Sequence, residues 1–126
     1  MSMGNFRIPL EIASLGGESF QDVEALVDTG ATYTWIPRNL LDRLGVIPEE
    51  DWPFILADGR EASYPVATVR VRLGRRLRHT LAVFGEPASE ALLGAVTLEE
   101  FGLAVDPVRH RLIPVPGLLK ASADRL

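Results

Sequence analysis

The chain contains no cysteine, which excludes disulfides, cysteine-ligated zinc and thiol nucleophiles together. Long apolar runs are missing too: no uncharged stretch reaches the roughly 18 residues that a membrane helix needs, so no membrane partner is expected. Histidine is scarce, with His79 and His110 at no spacing that would hold a metal, and neither a metal nor any other cofactor is expected. Positive charge is in deficit: 13 Lys and Arg stand against 17 Asp and Glu, a formal net charge of −4. That balance argues against a dedicated nucleic-acid binder. Glycine-flanked serine motifs and phosphate-binding loops are absent, which removes serine-hydrolase and P-loop chemistry. Residues 1–17 show no basic segment followed by an apolar run, and a cytoplasmic location is expected.

What remains is a chain of 126 residues, 47% hydrophobic, large enough for one domain with a real core and too small for two. Eleven Gly and nine Pro divide it into short runs, a punctuation that favours an all-β fold. Strands are read at Phe6–Ile12, Phe20–Val27, Thr32–Ile36, Trp52–Leu56, Arg60–Leu73, Leu77–Phe84, Ala91–Gly94 and Arg111–Val115, about eight in all, with no alternating βαβ pattern. In the second, Val23, Ala25 and Val27 share one side. In the sixth, Leu77, Leu81 and Val83 are expected to face inward alongside a half-buried His79. Asp58-Gly59 reads as the tip of a two-residue hairpin. Pro37 to Gly45 reads as a short helix opened by proline and stopped by glycine. Thr97 and Glu100 have capping-box spacing for a second helix ending at Gly102.

One segment carries chemistry. In Ala25-Leu26-Val27-Asp28-Thr29-Gly30-Ala31-Thr32 an apolar strand runs directly into a carboxylate, and a glycine follows two residues later. An acid at the end of a rigid strand, pointed into a loop, is how a general acid or base is presented. Asp-Thr-Gly by itself is also ordinary turn composition. Downstream, however, come the Ala57-Asp58-Gly59-Arg60 hairpin tip and then Leu92-Leu93-Gly94, an apolar strand followed at once by a short helix.

In that order, from about Phe20 to Val115, the sequence resembles the retroviral-type, retropepsin-like aspartic proteases in their bacterial and archaeal branch. The resemblance implies a closed β-barrel of the acid-protease fold with a flap hairpin and one or two short helices. The protease domain would span 1–115, with 116–126 a tail that is mobile or touches the dimer partner. It implies that Asp28 is the catalytic aspartate, with Thr29 bonding across a two-fold axis and Gly30 offering backbone groups to substrate. Ala31 would lie under the active carboxylate and, with Thr32, bind substrate, and Trp35 would replace a small aliphatic pocket-wall residue. Ala57, Asp58, Gly59 and Arg60 would form the flap over a bound peptide. Two departures stand out. Ala95 occupies the place of an arginine that ties the retroviral dimer, and the flap tip carries Asp58 and Arg60 where those enzymes are glycine-rich.

Peptide hydrolysis of this kind needs two carboxylates, one a base toward water and the other a proton donor to the scissile carbonyl. The chain holds a single Asp-Thr-Gly and no room for a second lobe. The resemblance therefore implies a homodimer with one Asp28 from each chain about a C2 axis, acting on a peptide or protein substrate. The competing reading keeps the fold without turnover, as a silent peptide-binding or dimerisation module. Outside this segment, Arg70, Arg72, Arg76 and Arg78 alternate with apolar residues, and a solvated hairpin face is expected in preference to an anion or RNA patch. Trp35 and Trp52 are expected in the core or as pocket walls.

Overall fold

The computed structural model describes residues 5–117. The elements are β1 (Arg7–Ala13), β2 (Gln21–Val27), β3 (Thr34–Pro37), α1 (Arg38–Arg43), β4 (Glu50–Ile55), β5 (Glu61–Leu73), β6 (Arg76–Gly85), β7 (Ala91–Leu93), α2 (Ala95–Glu100), β8 (Leu103–Asp106) and β9 (Arg111–Pro114). The main sheet runs β1-β2-β7-β3-β6-β5-β4, and a further pairing of β1 with β5 closes its first six strands into a barrel. The all-β closed barrel expected from the sequence is therefore present. β8 and β9 form a separate antiparallel pair.

Closure depends on the length of β5. Its first half pairs with β4, from Glu61 opposite Ile55 to Val66 opposite Glu50. Its second half pairs with β6 on one side and, through Arg70, Val71 and Arg72, with β1 on the other. One strand of 13 residues thus reaches from the barrel seam to the flap. The barrel is filled by Ile12, Ile36, Val69, Val71, Phe84, Leu93 and Phe101, each no more than 1% exposed. Burying side chains of this size stabilises the fold by about 1.5–3 kcal/mol each.

β2 is half-buried in the expected phase, with Ala25 and Val27 inside. β6 is not. Thr80, Ala82 and Phe84 face the core, whereas His79 and Leu77 are exposed. The alternation of Leu77, Leu81 and Val83 pointed to the wrong face because two of the three core-facing residues of β6, Thr80 and Ala82, are small and carry little hydrophobic signal. Val83 is buried as well, since the strand is covered on both faces toward its end.

The arginines also differ from expectation. Arg70 and Arg72 are half-buried and bracket the Phe20 ring, at 5.0 and 3.8 Å from its centroid. Arg70 donates to the Ser14 and Gly17 carbonyls, and Arg72 pairs with Glu11. Arg76 and Arg78 donate to the carbonyls of Phe101 and Glu100 at the end of α2, where the helix dipole favours a cation. Arg70 and Arg72 thus leave the expected wet face, whereas Arg76 is exposed as expected while also tying β6 to α2.

Two helix expectations are refined. α1 opens after Pro37 as read, and closes through Leu44 and Gly45. For α2 the N-cap is Gly94, with no side-chain cap, so Thr97 lies inside the helix and is fully buried. The short strand β8 had no reading in the sequence. Residues 118–126 of the expected tail lie outside the described part.

Candidate active site

Asp28 follows β2 directly. The short strand β7 slots between β2 and β3, parallel to the first (Val27 beside Leu93) and antiparallel to the second (Leu92 beside Trp35). The chain must therefore leave β2, pass around the end of β7 and re-enter as β3, and residues 28–33 make that passage. The Asp28 N–H donates to the Leu93 carbonyl at 3.0 Å, which extends the β2–β7 ladder up to the carboxylate residue itself. The Ala31 N–H donates back to the Asp28 carbonyl at 3.1 Å. The Gly30 N–H donates to Asp28 Oδ1 at 2.9 Å, which sets the half-buried carboxylate in one orientation.

The far side of the loop rests on the start of α2. Ala95 and Val96 donate their N–H groups to the carbonyls of Ala31 and Thr32, at 2.8 and 2.9 Å. Only glycine fits at 94: a Cβ there would stand 2.5 Å from the backbone carbon and oxygen of Tyr33. Leu93-Gly94 thus packs behind the Asp28 loop.

Above the loop lies a cleft of about 760 Å³. Asp28, Gly30, Ala31, Thr32, Tyr33, Trp35 and Leu92 form its floor and wall, and Trp52 to Ala57 form its roof. Asp28 is the one charged residue among them. Five rings join roof to wall. Tyr33 meets Trp52 edge-on at 5.5 Å, Trp35 meets Phe54 at 5.3 Å, and Trp35 meets Tyr64 edge-on at 4.9 Å. Contacts of this kind contribute about 0.5–1.5 kcal/mol each beyond the area they bury.

The roof is the flap hairpin. Its connection is three residues long, not two: Leu56 donates to the Arg60 carbonyl at 2.7 Å and Gly59, at φ +87°, donates to the Leu56 carbonyl at 2.9 Å. The left-handed Gly59 after a tight turn matches the twist of the strands. At the tip, the Asp58 carboxylate accepts from Arg60 Nε at 2.7 Å and from the Arg60 N–H at 3.0 Å. The Arg60 guanidinium, and then its backbone N–H, hold the Asp58 carboxyl below the usual carboxylate range. Pro53, with no N–H to offer, sits in β4, which among the described residues has a neighbour on one side only.

Of the residues singled out from the sequence, Asp28, Gly30, Ala31, Thr32, Trp35 and Ala57 share this cleft. Thr29 is exposed beside it, and Asp58, Gly59 and Arg60 form the exposed tip outside it. Trp52 lines the cleft from its roof and is half-buried, so of its two expected places it takes the pocket and not the core. Tyr33, Phe54, Leu56 and Leu92 were not singled out. Trp52 and Phe54 alternate on a strand that leads into a hairpin, and that period-two aromatic pair was the available signal.

The family model described as "gag-polyprotein putative aspartyl protease" matches residues 17–100. A sequence search of curated proteins returns no match. Among solved structures, the chain is similar to the simian foamy virus (mac) protease, with 21% identity, TM-score 0.52, and coverage of 75% of this chain and 94% of that one. A retropepsin-like aspartic protease from Rickettsia conorii is 19% identical, with TM-score 0.57 over 81% of this chain and 75% of that one. The EIAV protease, solved with an inhibitor, is 17% identical, with TM-score 0.59 over 81% and 92%. Since the matched span runs from the turn before β2 through the end of α2, and so takes in the Asp28 loop, the flap and the strand behind them, the chain belongs to this aspartyl protease family and has the retropepsin-like fold.

Proposed function

We propose that the protein is an aspartic endopeptidase that acts as a homodimer, with the two catalytic carboxylates supplied by Asp28 of each chain. The placement of Asp28 carries this reading. It ends a rigid strand, its orientation is fixed by the Gly30 N–H, and among the described residues it is the one charged group lining the flap-covered cleft. One carboxylate takes a proton from a water, whose oxygen attacks the scissile carbonyl carbon. The other, protonated, donates to the carbonyl oxygen, and the resulting diol collapses as the amine leaves with a proton. In this reading Thr29, exposed next to Asp28, bonds between the two loops, and Gly30 offers its backbone to the peptide. Ala31, Thr32 and Trp35 line the subsites, and Ala57 to Arg60 close from above.

Cleavage of denatured protein and of a mixed peptide library by the wild type, compared with Asp28→Asn, tests the chemistry. A loss of roughly 10²–10⁴-fold in kcat is expected. Equal activity in both, or none in either, would favour the silent binding module. Dilution tests the assembly: specific activity should fall below the dimer dissociation constant. Activity per chain that stays flat in a demonstrated monomer would sink the shared site.

A further inference from the structure

Behind the Asp28 loop lies a chain of three buried hydroxyls that the catalytic chemistry does not use. Thr34 on β3, Thr97 in α2 and Thr80 on β6 are 0%, 0% and 2% exposed. Thr34 Oγ1 is 2.7 Å from Thr97 Oγ1, which is in turn 2.7 Å from Thr80 Oγ1. Thr34 Oγ1 also accepts the Gly94 N–H at 3.1 Å. Among the described residues these three are the only buried polar side chains, in a barrel otherwise packed with aliphatic and aromatic groups. Valine has nearly the same shape and no hydroxyl to satisfy, so the three hydroxyls fit here because each finds a partner in the others.

Their location gives them a task. Gly94, held by Thr34, lies against the Tyr33 backbone, and Ala95 and Val96, the next two residues, hold the Ala31 and Thr32 carbonyls. Thr97 follows immediately. Its hydroxyl joins α2 to β3 on one side and to β6 on the other, so it sets how α2 sits against the loop that carries Asp28. Hydrogen bonds specify one distance and one direction, which apolar contacts do not. We infer that Thr97 is a positioning residue: through Thr34 and Thr80 it fixes the start of α2 and thereby the height of the Asp28 loop in the cleft. This rests on the proposed peptidase reading for its effect on turnover, and not for its effect on the loop.

The experiment compares wild type with Thr97→Val, Thr97→Ser and Thr80→Val by amide hydrogen exchange and by peptide cleavage. In Thr97→Val the Ala95 and Val96 amides should exchange at least about tenfold faster relative to the β1 and β5 amides, because the opening becomes local. The kcat should fall about ten- to a hundredfold with KM nearly unchanged, the pattern of a displaced reacting group that still binds substrate. Thr97→Ser keeps the hydroxyl and should recover both readouts to within about threefold of wild type by the same reasoning. Thr80→Val removes the outer link alone and should show the same exchange pattern more weakly, which keeps the test available if Thr97→Val does not fold. Unchanged Ala95 and Val96 exchange in Thr80→Val and Thr97→Val, or no recovery in Thr97→Ser, would overturn the positioning role. Faster exchange in Thr97→Val with recovery in Thr97→Ser, in a wild type that cleaves nothing, would uphold the positioning role and overturn the peptidase reading.

Discussion

Below the cleft, the Asp28 loop is held by backbone hydrogen bonds to Leu93, Ala95 and Val96 and backed by buried threonine hydroxyls. Above it, the flap strand β4 is held on its inner face by rings of Tyr33, Trp35 and Tyr64, and its tip by one exposed Asp58–Arg60 pair. Backbone and hydroxyl bonds are directional, and the hydroxyls behind the loop are buried, so the floor tolerates little displacement. Edge-on and tilted ring contacts are broad in distance and angle, so rings can slide while staying in contact. A catalytic carboxylate must be placed to a fraction of an ångström, whereas a flap must admit a peptide and close over it. The two kinds of interaction divide along that line.

The sharpest way to break this contrast is at the floor. Gly94→Ala puts a Cβ against the Tyr33 backbone, which cannot move aside as a side chain would. A loss of about 3 kcal/mol or more of unfolding free energy is expected, read by denaturant titration. A cost below about 1 kcal/mol would show that the floor yields as the flap does.

Phe54→Ala probes the flap. The ring is half-buried and meets Tyr33, Trp35, Trp52 and Tyr64. Fully buried phenylalanines cost about 3–5 kcal/mol on truncation, and partial burial brings the expectation to about 2 kcal/mol. Amides of β4 should exchange faster while the Asp28, Ala95 and Val96 amides stay as they are. KM for peptide should rise more than kcat falls. Equal loosening of floor and flap would show that the two are one unit.

The smallest effect is expected at the tip. The Asp58 carboxyl is held below its ordinary range by Arg60, so the clasp is fully formed above the ordinary carboxylate range and is lost as pH falls through the lowered value. Both partners are exposed, so little stability rides on it. In Arg60→Gln the Asp58 carboxylate, followed by NMR, should titrate at higher pH than in the wild type, with unfolding stability at neutral pH nearly unchanged. An Asp58 midpoint that does not move would mean that the turn backbone, and not the guanidinium, sets it.

Much of the architecture was legible because it rests on local, short-range signals. Pro37 and Gly45 bracketed α1, Gly59 marked the hairpin, and the apolar alternation of β2 led straight to Asp28. The phase of β6 was not legible. Thr80 and Ala82 point into the barrel, and in isolation a threonine and an alanine read as neutral, whereas Leu77 and Leu81 read as core. Thr97 was misread for a related reason: its spacing to Glu100 fits a capping box, but a hydroxyl can also bond across the core, and only packing decides which. The arginines on β5 and β6 alternate as surface residues do. Their partners, the carbonyls of Ser14, Gly17, Phe101 and Glu100, come from segments distant in the chain.

The sequence by itself determined the strand-to-carboxylate junction at Asp28, the glycine at 94 that the loop packs on, and the single copy of Asp-Thr-Gly. Each is a local matter of side-chain chemistry and backbone freedom within a few residues. Tertiary structure alone decided that β7 divides β2 from β3 and that β5 is shared between barrel and flap. It likewise decided that five rings from three strands and a loop meet between the flap and the wall of the cleft, and that three threonines from separate elements touch behind the Asp28 loop. Those are long-range pairings, fixed by how the sheet closes on itself, and no window of sequence contains both partners.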